Sequence, residues 1–162
     1  MKFEKVNYTE WWDGSKNTYY QHGYHDAHIR KPERATPDSM GYDFYSTFTF
    51  SLEVGRTLKL PLGIKFNPKT EKRVGVLMLP RSGLGSKGLN LTNQIGAIDP
   101  DYYNNPDTGG MILADLVNNG RSTLHIIKGQ AILQGILTPF HVTEDDKPRT
   151  AKRLGGFGST DA

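Results

Sequence analysis

At 162 residues, 36% of them hydrophobic and with a formal charge of +3, the chain suits one domain with a real core, and no Lys/Arg run resembles a nucleic-acid stripe. The absence of cysteine excludes disulfides and thiolate chemistry. No apolar stretch nears the ~20 residues that a bilayer crossing needs, and the start MKFEKVNYTEWW lacks the apolar centre of a signal peptide. The expectation is a soluble, cytoplasmic protein with no membrane and no direct nucleic-acid partner. Mean hydropathy is low at −0.56, yet seven Phe, eight Tyr and two Trp argue against disorder. The 18 Gly and nine Pro point to many turns.

Residues 1–28 are aromatic and polar without a clean helical period, and read as a partly ordered extension or an added hairpin packing on the main domain, 29–151. Strand signals follow in order. Tyr42–Leu52 alternates aromatic with small or polar residues; Thr57–Phe66 and Val74–Leu79 are β-rich, with a break expected at Pro61–Gly63. Leu89–Ile98, Met111–Val117, Ser122–Ile127 and Ala131–Pro139 continue the pattern, and Asn118–Asn119–Gly120 is a hairpin signal. A helical turn or two is expected only around Ser82–Lys87. The tail 152–162, with three glycines around one Phe, reads as an arm outside the packed domain.

Four polar clusters interrupt the strands. Gly41–Tyr42–Asp43 alone is a turn entering a strand. Pro80–Arg81–Ser82–Gly83 joins a guanidinium fork, a hydroxyl and backbone N–H groups, the donors that phosphate oxygens require. Gly83, Gly85 and Gly88 mimic a dinucleotide fingerprint, but no βαβ unit surrounds them. In Asn93–Tyr102, the carboxylates of Asp99 and Asp101 follow an apolar strand, where a base or a solvated turn would both fit. Gly155–Thr160 would suit a backbone that wraps closely around a ligand, with a Phe able to stack on a base, or else a frayed terminus. The trio His22, His25 and His28 reads as surface rather than metal site, since no further ligand accompanies it.

Together these segments resemble the five motifs of the trimeric dUTPase family: MGYDFYS, VGVLMLPRSGLGSKG, NQIGAIDPDYYN, KGQAILQGI and KRLGGFGST, in order, over about Ile29 to Thr160. The resemblance implies an all-β fold, a jelly-roll-type β-barrel, assembled as a homotrimer with sites at the subunit junctions. It implies dUTP as substrate and Mg²⁺ as cofactor, with Asp43 near the hydrated ion. Asp99 takes the place of the aspartate that orients and deprotonates the attacking water. Arg81, Ser82 and Gly83 match the phosphate-binding group and Gln134 a further phosphate ligand. Asn93, Gly96 and Ile98 fall in a hairpin that reads uracil, and Tyr102 lies under the sugar. In the arm, Phe157 closes over the base, with Gly158, Ser159 and Thr160 toward the phosphates.

The chain departs from the pattern in places. Gln130 and Ala131 replace an acidic–basic pair, and Lys152 stands where the arginine of motif five is usual, with Arg153 one place later. Both remain candidates for the γ-phosphate. The loop Tyr103–Gly110 and the N-terminal extension exceed the minimal family pattern, as in phage-encoded members, which would place the protein in a host cytoplasm. They are the surfaces expected to meet any protein partner. The resemblance therefore implies hydrolysis of dUTP to dUMP and pyrophosphate. A regulatory binding protein on the same fold is the alternative, and a dCTP deaminase fits less well because RSGLG lacks that family's polar residues.

Overall fold

A computed structural model describes residues 1–15, 29–148 and 156. Among these residues the strands are β1 (Lys2–Lys5), β2 (Glu33–Arg34), β3 (Gly41–Tyr45), β4 (Phe50–Leu52), β5 (Thr57–Asn67), β6 (Val74–Pro80), β7 (Leu89–Leu91), β8 (Gly96–Ile98), β9 (Met111–Asn118), β10 (Leu124–Ile126) and β11 (Ala131–Pro139). Two short α-helices accompany them, α1 (Tyr8–Ser15) and α2 (Ser82–Gly85), with a 3-10 turn at Pro100–Tyr102. The strands form sheets ordered β1-β5-β9-β7, β2-β3-β11-β6-β8 and β10-β4, with antiparallel pairing in each. The sheets are open, wrapped in jelly-roll manner around one core rather than joined in a continuous ring of hydrogen bonds.

Alternation drives this packing. In β9 every second side chain is turned inward, so Ile112, Ala114 and Leu116 are buried. They meet Leu60, Leu62, Ile64 and Phe66 of β5 and Phe44, Val76, Met78, Ile132 and Leu133 of the five-stranded sheet in one continuous cluster. Burying such side chains is worth roughly 1.5–3 kcal/mol each, which outweighs the modest propensity of any single strand.

Several sequence expectations need refinement. Pro61 and Gly63 do not break β5; they sit inside it, where the register shifts between Pro61 and Lys65. A bulge absorbs the missing N–H and the positive φ of Gly63. Tyr42–Leu52 divides into β3 and β4, and Leu89–Ile98 into β7 and β8, each pair shared between different sheets. Asn118–Gly120 is not a hairpin turn, because β9 pairs with β5 and β7 while β10 pairs with β4. Asn118 is instead a buried staple, its Nδ2 donating to Leu52 O (2.8 Å) and Ser122 O (2.9 Å). Gly120 passes so close to the chain at Lys87 that a Cβ would lie 2.1 Å from the Lys87 carbonyl oxygen.

The segment set apart by sequence is built into the fold as far as Ser15. β1 pairs with β5 from Lys2↔Asn67 to Lys5↔Ile64. Val6 and Trp11 are buried core residues. α1 starts with a reciprocal cap: Glu10 N donates to Asn7 Oδ1 and Asn7 N donates to Glu10 Oε2, both at 2.9 Å. This helix was not expected, although Asn7-x-x-Glu10 was its visible signal.

The same segment clasps the loop 103–110. The buried Lys65 ammonium forms an ion pair with Glu10, donates to Asn104 Oδ1 (3.0 Å) and lies 5.1 Å from the Tyr103 ring centre. Glu4 accepts hydrogen bonds from the Tyr103 hydroxyl and Asn67 Nδ2, each at 2.9 Å, and pairs with Lys2 at 2.8 Å. Burial alone would raise the Glu4 pKa, but bonds from Lys2, Asn67 and Tyr103 outweigh it and hold the carboxyl at about 2.

Two outcomes are expected. Trp11→Ala lowers unfolding free energy by about 3–5 kcal/mol in denaturant titrations, whereas a loosely attached segment would give almost no change. Glu4, depressed from about 4.5 in the unfolded chain, stabilises the protein fully above that pH and loses its contribution as pH falls toward 2. Glu4→Gln should therefore flatten the acid limb of a plot of Tm against pH between those values.

Candidate active site

Three strands bring the first group of expected residues together. Asp43 on β3 faces Gln134 on β11 in register, and Gln134 lies beside Leu79 of β6, just before Arg81. Arg81 N donates to Ile132 O (3.1 Å), which fixes the end of β6 against β11. From there the Arg81 Nε reaches Asp43 Oδ1 at 3.1 Å, with the carboxylate largely enclosed and the guanidinium side chain 43% exposed. Gln134 folds across Gly41, where a Cβ would meet its Oε1 at 2.7 Å. Asp43, Arg81, Ser82 and Gln134 thus line one cleft, open to solvent beside Ser39 and Met40. The cleft offers a guanidinium, a hydroxyl and an amide to an anion, and one carboxylate to a cation. Gly83 follows in α2, with open space where a Cβ would stand, and does not line the cleft.

The second group lines a separate, partly enclosed pocket. Asn93, Gly96, Ile98 and Tyr102 contribute to its wall together with Met78, Leu91 and residues of β9. The expected uracil-reading hairpin through Asn93 is a turn between sheets: Gln94 N bonds Leu91 O, Gln94 adopts a φ of 64°, and β8 then joins β6. Gly96 brings β8 close to β6, since a Cβ there would stand 3.2 Å from Met78 Cβ. Tyr102 is buried at 6% exposure, and Gly156 lies against its ring. Met78 and Asp115 also line this pocket without having been singled out from sequence. Met78 falls in the β-rich run Val74–Leu79, but a strand signal does not say which of its side chains borders a cavity.

Asp99 falls in neither group. It lines a third cavity with Lys72, Asp101 and Phe140. Because Ile98 pairs with Val76, Asp99 stands level with Gly75, at the opposite end of β6 from Arg81. At ~3.3 Å per strand residue that separation is roughly 20 Å. Lys152, Arg153, Phe157, Gly158, Ser159, Thr160 and the histidines 22, 25 and 28 lie outside the described residues.

The order of these residues along the chain matches a known pattern. The dUTPase family model matches residues 27–161. The chain belongs to the dUTPase family. It is 37% identical over 140 residues to the deoxyuridine 5'-triphosphate nucleotidohydrolase of Lactococcus lactis subsp. lactis, covering 86% of this chain and 93% of that protein. The crystal structure of the dUTPase from Streptococcus mutans superposes with a TM-score of 0.70 at 28% identity, covering 89% and 99% of the two chains. A dUTPase from phage phi11 of S. aureus, described with a structural Mg(II) ion, shares the fold at a TM-score of 0.61 and 22% identity, over 75% of this chain and 90% of that one.

Within this dUTPase the two additions outside the minimal motifs are neighbours, since α1 and the loop 103–110 meet at Lys65 and Gly109 packs on Glu10. Among the described residues no helix is long and apolar enough to cross a membrane. Gly96→Ala should displace β8 from β6 and narrow the pocket. The expected result is at least ~10-fold weaker nucleotide binding by calorimetry, with a stability loss of about 1–3 kcal/mol.

Proposed function

We propose that the chain hydrolyses dUTP to dUMP and pyrophosphate as an assembly of three identical copies, acting in the cytoplasm. The observation that carries the reading is the convergence of Asp43, Arg81, Ser82 and Gln134 on one anion-ready cleft. The assembly is supported by the ~20 Å between Arg81 and Asp99 along β6, too far for both to serve one triphosphate within a chain. A second copy supplying Asp99 and its nucleoside pocket to the first copy's cleft would complete a site.

In that site Asp99 holds and deprotonates the water that attacks the α-phosphorus, and pyrophosphate departs. General-base help of this kind contributes ~10²–10⁴ in rate. Arg81 and Ser82 bind phosphate oxygens, and the Arg81 charge offsets that building on the leaving group. Asp43 restrains the guanidinium through its Oδ1, so the fork approaches from a set direction. Gln134 adds a neutral donor beside it.

Among the described residues no cluster of three acidic or histidine side chains forms a metal cage. A lone carboxylate fits Mg²⁺ well, because that ion keeps most of its waters and takes phosphate oxygens as ligands. Asp43 would hold it through water. When bound, Mg²⁺ supplies charge neutralisation to the triphosphate.

Selectivity comes from shape. Gly96 and Ile98 present backbone to the uracil edge beside Asn93, and the close β6–β8 approach leaves little room for a 5-methyl group. Tyr102 packs under the deoxyribose, where a 2′-hydroxyl would clash. By the family resemblance, residues 152–162 supply the closing arm, with Lys152 or Arg153 on the γ-phosphate, Phe157 over the base, and Gly158, Ser159 and Thr160 near the phosphates.

Pyrophosphate release from dUTP against dTTP, dCTP and UTP, with and without Mg²⁺, tests the substrate directly. Asp99→Asn should lower kcat by ~10²–10⁴ while leaving affinity for a non-hydrolysable dUTP analogue within a few-fold. A near-normal kcat in that variant would remove Asp99 from the base role.

A further inference from the structure

The loop 103–110 folds back onto the residue that precedes it. Asn105 and Thr108 are buried at 4% and 5% exposure, unusual for polar loop residues. Asn105 Nδ2 donates to Tyr102 O and to Thr108 Oγ1, both at 2.8 Å. Asn105 Oδ1 accepts from the backbone N–H groups of Asp107 (3.1 Å) and Thr108 (2.9 Å). The Tyr102 hydroxyl donates to Met111 O (3.0 Å) and lies 3.1 Å from Thr108 Oγ1. Thr108 Oγ1 is also 3.1 Å from Asn105 Oδ1.

The protons can be assigned. Tyr102 spends its single proton on Met111 O, so its oxygen is an acceptor toward Thr108. Thr108 has one proton, and Asn105 Oδ1 already receives two backbone donors. The consistent arrangement is a relay from Asn105 Nδ2–H to Thr108 Oγ1, from Thr108 O–H to Tyr102 Oη, and from Tyr102 O–H to Met111 O. Its two ends are tied to backbone, so the phenol oxygen is pinned on two sides while the ring forms part of the pocket wall.

We infer that Thr108 is a positioning residue for sugar discrimination: its hydroxyl, oriented by Asn105, holds the Tyr102 ring where a ribose 2′-oxygen would have to go. The inference rests on the role proposed above for Tyr102 and goes beyond it by giving the loop 103–110 a task in the reaction. A wall excludes an added hydroxyl only as firmly as it is held. A ring free to shift by about an ångström would admit the larger sugar.

The test is the ratio of kcat/KM for dUTP to that for UTP, measured on the full chain with melting curves alongside. Thr108→Val keeps the side-chain shape and removes the hydroxyl; Thr108→Ser keeps the hydroxyl. The expected result is a roughly 10-fold fall of the ratio in Thr108→Val, caused by a lower KM for UTP, and a near-wild-type ratio in Thr108→Ser. Tyr103→Phe, which removes the Glu4 bond on the outer side of the same loop, should lower Tm and leave the ratio alone. A purely structural role would lower Tm without moving the ratio. An unchanged ratio in Thr108→Val, beside a lost ratio in Tyr102→Ala, overturns the inference for Thr108 alone. An equal fall in Tyr103→Phe overturns it as well, because any loosening of the loop would then suffice. An unchanged ratio in Tyr102→Ala overturns the sugar role of Tyr102 and the inference with it.

Discussion

β6 is hydrogen-bonded along both edges, to β11 from Val74↔Pro139 to Pro80↔Leu133 and to β8 from Val76↔Ile98 to Met78↔Gly96. This double ladder decides where the chemistry sits. At the end of β6 the β11 partner sets Gln134 beside Arg81 and, through β3, sets Asp43 in reach of the guanidinium. Near its start the β8 partner places Asp99. A register slip of one residue in either ladder would turn Gln134 or Ile98 to the opposite face and dismantle one half of the site. The split between the cleft lined by Asp43, Arg81 and Gln134 and the pocket lined by Gly96 and Tyr102 follows from strand pairing, before any ligand is considered.

Much of this was legible in the sequence because strands report themselves by alternation and motifs by order. The limits of β5, β6, β9 and β11 lay within a residue or two of expectation, and the residues around Asp43, Arg81 and Gln134 were singled out before their proximity could be seen. What stayed hidden was long-range. Nothing local says that Asn118 staples the end of β9 to Leu52 of β4, or that the chain changes sheets at Asn93 and Asn119. Pro61 in mid-strand looked like an interruption because the bulge that accommodates it is created by β9. The missed helix is a different case: Asn7 and Glu10 carried its capping signal, but eight residues with a glycine among them give too short a period to stand out.

The clasp around Lys65 shows how an added segment becomes part of a scaffold. A buried ammonium is costly to desolvate, and it is accommodated here because Glu10 of α1 and the adjacent Tyr103 and Asn104 of the loop converge on it from two distant segments of the chain. These shared contacts tie α1, β5 and the loop after Tyr102 to one another. The loop can then carry a buried polar relay at its inner side, because its outer side is tied down by Glu4 and Lys65. Order is thereby passed inward from the N-terminal segment to the pocket wall.

The pairing of β1 with β5 has a colloidal consequence. Ile64 to Asn67 lie on a margin of the four-stranded sheet that, among the described residues, is covered by pairing with β1. Proteolytic trimming of residues 1–5 would bare a row of unpaired amides and carbonyls flanked by Ile64 and Phe66, a template onto which another molecule's strand can add. Nicked samples should then cloud and precipitate long before their sites lose shape, so the intact amino end acts as a guard against self-association as much as a piece of architecture.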